Sequence, residues 1–130
     1  MELDALRETA LQARLRAHAP FSNFLVGAAM EAQDGRIFGG CNVENSSYGL
    51  TMCAERTAIF RAVAEGAKRF TRIAVVADTE KLTPPCGACR QVLWDLCGDL
   101  EVILFNLGGA TETCRLRDLL PRAFDATFLD

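Results

Sequence analysis

No stretch of this sequence approaches the roughly 20 apolar residues needed to span a bilayer, so a membrane-spanning helix and a membrane partner are not expected. The opening Met1-Glu2-Leu3-Asp4 lacks the basic and apolar parts of a secretory leader, which sets a cytoplasmic expectation. No block of Lys or Arg stands out and the net charge is -3, which argues against nucleic acid as the ligand. No repeat or low-complexity tract interrupts the chain. Histidine is nearly absent: His18 is the only one, and it stands far up the chain from the other candidate metal ligands.

With 130 residues, 50% of them hydrophobic, and a mean hydropathy of +0.12, the chain is long enough for one well-packed domain and too short for two. One domain over 1–130 is expected. Six cysteines without a leader suit a reducing compartment better than a disulfide framework. Three of them, Cys41, Cys97 and Cys114, are expected to be buried thiols that pack as small apolar residues, with Cys41 as an alternative pocket-lining residue.

The other three carry a pattern. Cys53-Ala54-Glu55-Arg56 is followed by Pro85-Cys86-Gly87-Ala88-Cys89-Arg90. Zinc takes four ligands, and a catalytic site leaves one position to water. Cys53, Cys86 and Cys89 supply three, and His18 is a poor candidate for a fourth, so the pattern predicts an open site. Ile59 and Ala62 follow Glu55 at helical spacing with a stop at Gly66, which starts a helix near Cys53. Cys86 and Cys89, set before the apolar Val92, Leu93, Trp94 and Leu96, start a second. Side chains of a first turn lean toward the N-terminus, so both helix ends are expected to face one metal. Three thiolates outweigh a zinc dication by one charge; the helix ends and Arg56, with Arg90 as a weaker candidate, offset the excess.

Cys-x-Glu followed by Pro-Cys-x-x-Cys resembles the zinc-dependent nucleobase deaminases. The blocks AHAPFSNFLVGAA, CNVENSSYGLTMCAERTAIF, PCGACRQVL and LLPRAF narrow the likeness to the homotetrameric cytidine deaminases across nearly the whole chain. The resemblance implies one Zn2+ per subunit on Cys53, Cys86 and Cys89, with Glu55 as the catalytic carboxylate that moves protons without touching the metal. It further implies that Asn42 and Glu44 bind the ribose 3'-hydroxyl, that Phe24 lies against the pyrimidine, and that backbone groups near Ala54 and Cys86 read the base edge. Tyr48 and Phe124 would complete a neighbouring subunit's pocket. Phe21 and His18 depart from the family pattern: at the position of Phe21 a Tyr is often found, so a polar contact through that hydroxyl is lost or replaced.

Along the chain, Leu3, Leu6, Ala10, Ala13 and Ala17 repeat at helical spacing before Pro20. Phe24 to Met30 and Ile37 to Asn42 read as strands around an Asp34-Gly35 turn, and Ile73 to Ala77 and Val102 to Phe105 as buried central strands. The short Asn106-Leu107-Gly108-Gly109 segment before Thr111 to Leu116 allows a hairpin but not a parallel crossover. The expected fold is α/β, a three-layer α/β/α sandwich around a mixed five-stranded sheet with an antiparallel last strand, which resembles the free-nucleoside branch of the deaminases. At the end of the second strand, Asn42 and Glu44 project to one side if the backbone stays extended.

The expected activity is hydrolytic deamination of cytidine and 2'-deoxycytidine in pyrimidine salvage. Two alternatives stand beside it: a deaminase of a modified cytosine nucleoside or an antibiotic such as blasticidin S, and, from a different class, a structural zinc module that binds a macromolecule.

Overall fold

Apolar residues alternate between the two faces of each central strand, and that alternation builds two cores. The computed structural model describes residues 2–129; Met1 and Asp130, the ends of the expected 1–130 domain, lie outside them. Helix α1 (Glu2–Arg14) precedes the hairpin strands β1 (Val26–Ala32) and β2 (Ile37–Cys41). Helix α2 (Ala54–Ala64), strand β3 (Phe70–Ala77), helix α3 (Gly87–Cys97) and strand β4 (Glu101–Asn106) follow. Strand β5 (Thr111–Arg115) and the short helix α4 (Leu116–Leu119) close the order, with 3-10 turns at Tyr48–Leu50 and Ala126–Leu129.

The five strands run β2-β1-β3-β4-β5, with β3 and β4 parallel and every other pair antiparallel. Met30, Ile73, Val75, Val102 and Leu104 meet Ala58, Ile59 and Leu93 of α2 and α3 on one face. Ala29, Ala74, Val76, Ile103 and Phe105 meet Leu6 and Ala10 of α1 on the other. The result is the three-layer sandwich with a mixed sheet and an antiparallel last strand that the sequence implies.

Element ends differ from the sequence reading. Helix α1 stops at Arg14 rather than Ala17, because Leu15, Arg16 and Ala17 donate to carbonyls three residues back, the tighter 3-10 pattern. Strand β1 begins at Val26, which leaves Phe24 on an exposed loop. Leu116 leaves the last strand to start α4.

Two glycines set how closely helices approach the sheet. A Cβ on Gly27 would lie 2.1 Å from the Ala10 carbonyl oxygen, so α1 rests directly on β1. A Cβ on Gly40 would lie 2.4 Å from the Ala58 nitrogen and 2.6 Å from the Ala54 carbonyl oxygen. Gly40 therefore seats the first turn of α2, and with it Cys53 and Glu55.

Candidate active site

Cys53 and Cys86 are the N-cap residues of α2 and α3, both in extended backbone conformation. Each helix continues for 11 residues, so the free N–H groups and partial positive charge of both N-termini face the same space. Cys86 Sγ accepts from the Cys89 backbone N–H at 3.4 Å, capping α3. The sulfurs of Cys53, Cys86 and Cys89 all lie within 4.8 Å of one another, with Cys53–Cys86 at 3.5 Å and Cys86–Cys89 at 3.1 Å. Thiolates bound to a tetrahedral zinc at about 2.3 Å stand roughly 3.8 Å apart. The three side chains therefore fit such an ion with a small outward movement, and an all-sulfur donor set suits zinc.

The thiols share their protons unequally. The hydrogen bond from Cys89 pulls Cys53 down to about 5 against the cost of burial, with help from Arg56 and Cys86, while Cys89 is pushed up. Arg56 Nη2 donates to Cys53 Sγ at 3.5 Å. Arg90 turns away: its Nε donates to the Pro85 carbonyl at 2.7 Å and its Nη1 to the Leu119 carbonyl at 2.9 Å, which ties α3 to α4. It braces the loop rather than contacting sulfur.

Glu55 lies in the first turn of α2 and is only 4% exposed. Burial, with the negative Cys53 beside it, lifts its carboxyl to about 7. A carboxylate that changes protonation near neutral pH is suited to accept and return a proton in one cycle. Ala54, the first residue of α2, is fully buried beside it.

Of the remaining predicted residues, Phe24, Asn42, Glu44 and Tyr48 form a second group. Asn42 is buried; its Oδ1 accepts from the Val26 N–H at 2.9 Å and its Nδ2 donates to the Phe24 carbonyl at 2.7 Å. Strand β2 ends before it at Cys41, yet the chain stays extended, since Val43 bridges both His18 and Met52. Glu44 Oε1 accepts from the Phe21 and Ser22 N–H groups at 2.9 and 3.1 Å, and Ser22 Oγ donates to Oε2. A cavity of about 360 Å³ opens here, lined by Phe21, Ser22, Glu44, Tyr48 and Thr51. Tyr48 is 75% exposed and meets the Phe21 ring edge-on at 6.0 Å.

Among the described residues, Phe124 makes no contact that brings it to either group. It is exposed, stacks on Phe128 at 5.5 Å, and its carbonyl accepts from Gln91 Nε2 of α3 at 2.8 Å. The leftover cysteines are free, and none is fully buried, contrary to expectation; Cys97 and Cys114 are half-buried and pack against the larger core. Cys41 instead lines a cavity of about 500 Å³ between α1 and α2, which contains none of the predicted site residues. Sequence reasoning overlooked Ser22 and Gly40. The Ser22-Asn23 pair before Phe24 is a turn signal, and Asn23 does adopt the left-handed conformation at φ 58°.

Sheet order, helix placement and donor set point to one class, a hydrolytic deaminase. Residues 1–105 match the family described as the cytidine and deoxycytidylate deaminase zinc-binding region, and the chain belongs to that family. A cytidine deaminase of Halalkalibacterium halodurans is 51% identical over 127 residues, covering 97% of this chain and 96% of the relative. One from Sporosarcina psychrophila is 50% identical over 125 residues, covering 95% and 92%. The crystal structure of a cytidine deaminase from Burkholderia pseudomallei superposes with a TM-score of 0.89 at 54% identity, covering 93% of this chain and 98% of that one.

Proposed function

We propose that this enzyme is a zinc-dependent deaminase of cytidine and 2'-deoxycytidine, releasing uridine or 2'-deoxyuridine and ammonia, and that it serves pyrimidine salvage. The observation that carries the reading is Glu55, a buried carboxylate in the same helical turn that presents Cys53 to Cys86 and Cys89. A structural zinc module needs no such carboxylate. The shared name of the relatives at 51% and 50% identity supports cytidine as the base-bearing substrate.

Cys53, Cys86 and Cys89 would hold one zinc per subunit, which when bound would supply Lewis acidity to activate a water. The N-termini of α2 and α3 and the Arg56 guanidinium offset the excess negative charge of three thiolates. Glu55 takes a proton from the attacking water and delivers it to ring N3, while the water oxygen bonds to C4. It then moves the second proton from that oxygen to the amino nitrogen, the C4–N bond breaks, and ammonia leaves. Backbone groups at Ala54 and Cys86 hold the base edge, Phe24 packs on the ring, and Asn42 and Glu44 hold the 3'-hydroxyl.

The chain acts as one domain in a homotetramer, in which Tyr48 and Phe124 complete a neighbour's pocket. Their exposure, 75% and 55%, supports this, since exposed aromatics are favoured interface anchors. A cytoplasmic setting suits six free cysteines. Among the described residues no helix is long and apolar enough to cross a membrane.

Ultraviolet-monitored conversion of cytidine and deoxycytidine by the zinc-loaded protein tests the activity, with Glu55→Ala as control and blasticidin S and cytidine monophosphate alongside. Rapid Glu55-dependent loss of cytidine is expected. Turnover of blasticidin S with none of cytidine would overturn the substrate, and light scattering that returns an active monomer would overturn the tetramer.

A further inference from the structure

We propose that Ser22 is a positioning residue: its hydroxyl aims the last open acceptor site of Glu44 at the nucleoside's 3'-hydroxyl and locks that site to the backbone of Phe24. The inference rests on the nucleoside reading above.

A carboxylate offers about four acceptor sites. On Glu44, the Phe21 and Ser22 N–H groups fill both sites of Oε1, and Ser22 Oγ fills one of Oε2. The free site is therefore on Oε2, and Ser22 Oγ, by taking one of its two lone-pair sites and holding the carboxylate in place, decides which one is left. The hydroxyl and the two N–H groups also hold the Glu44 carboxyl below its ordinary pKa, so it is an acceptor only at neutral pH. Ser22 Oγ in turn accepts from the Phe24 N–H at 3.0 Å, and Asn42 Nδ2 holds the Phe24 carbonyl from the other side. Asn23, at φ 58°, makes the tight bend that lets one hydroxyl serve both partners. The residue assigned to the ring is thus gripped on one side by Asn42 and on the other by Ser22, each joined to or part of the pair assigned to the sugar. Ser22 is exposed on a loop beside the cavity of about 360 Å³ and contributes nothing to either core.

The test compares wild type, Ser22→Ala and Ser22→Thr on cytidine and on 3'-deoxycytidine, with zinc content and melting temperature measured for each. Ser22→Ala is expected to raise KM for cytidine about tenfold, the loss of about 1.4 kcal/mol, with kcat within about twofold. On 3'-deoxycytidine, which has no hydroxyl for Glu44 to hold, the gap between wild type and Ser22→Ala should shrink to the part carried by the Phe24 backbone contact. Ser22→Thr keeps the hydroxyl and should restore most of the loss. In a cycle with Glu44→Gln the two losses should not add, because they act on one contact. An equal penalty on both substrates, or an unchanged KM, would overturn the role of Ser22 alone. Wild type that fails to distinguish cytidine from 3'-deoxycytidine would overturn the sugar assignment and this inference with it.

Discussion

Cys53, Cys86, Cys89 and Glu55 sit on or beside the first turns of two 11-residue helices, whereas Phe21, Ser22, Glu44 and Tyr48 sit on loops and a 3-10 turn. The first group is held by helix ladders, with α2 packed on the sheet through Gly40. The second is held by single bonds from side chain to backbone, centred on Glu44 and Asn42. Chemistry that needs fixed sulfurs and a desolvated carboxylate is built where the backbone cannot drift. The recognition proposed for the second group would be built where a few hydrogen bonds set the shape and Tyr48 is exposed.

If that division is right, substitutions in the helical group should act on metal and turnover, and those in the loop group on substrate affinity. Cys86→Ala should lose bound zinc and all activity above background, read by metal analysis and the ultraviolet assay. Glu55→Gln should keep its zinc and lose about 10²–10⁴-fold in kcat, the range for removing a proton-transfer group. Loss of zinc in that variant would mean that the carboxylate belongs to the metal site itself. Arg56→Gln removes the hydrogen bond to Cys53, and a loss of about 10–100-fold in metal affinity or turnover is expected.

Gly40→Ala probes the support beneath the helical group. The added methyl would meet the backbone of Ala54 and Ala58, so α2 must shift, at a cost of about 1–3 kcal/mol in denaturant unfolding. Turnover should fall with it, since α2 carries Glu55. A variant of full stability would mean that the helix seat is more yielding than the packing indicates.

The smallest effect lies at the far end of β1. Burial raises the Glu31 carboxyl, but hydrogen bonds from Arg72 and Thr71 outweigh it and hold the group below its ordinary 4.5. A carboxylate whose folded pKa is depressed stabilises the fold above the unfolded pKa and loses that contribution as the pH falls through the folded one. Below about pH 4.5 the wild-type melting temperature should therefore drop more steeply than that of Glu31→Gln, with neutral-pH turnover unchanged. A change in turnover would show that the two ends of β1 are coupled.

The helical group was legible because its residues are close in sequence: Cys53 with Glu55, and Cys86 with Cys89, each at the head of an apolar periodic run. The sheet was legible for the same reason, since alternation along β1, β3 and β4 and the short link before β5 are local signals. Ser22 was invisible because its partner Glu44 is 22 residues away, and Gly40 because the helix it seats begins 14 residues later. The fate of Arg90 turned on a carbonyl 29 residues downstream.

By itself the sequence determined the paired cysteine motifs, the element order and the direction of the last strand, which follow from local spacing, while the proton-carrying role proposed for Glu55 rests on the resemblance to a family. Only the tertiary structure decided how close the sulfurs stand, how far burial lifts Glu55, and which acceptor site of Glu44 is left open. Distance, desolvation and lone-pair direction depend on atoms brought together from distant parts of the chain, and periodicity along the chain carries no record of them.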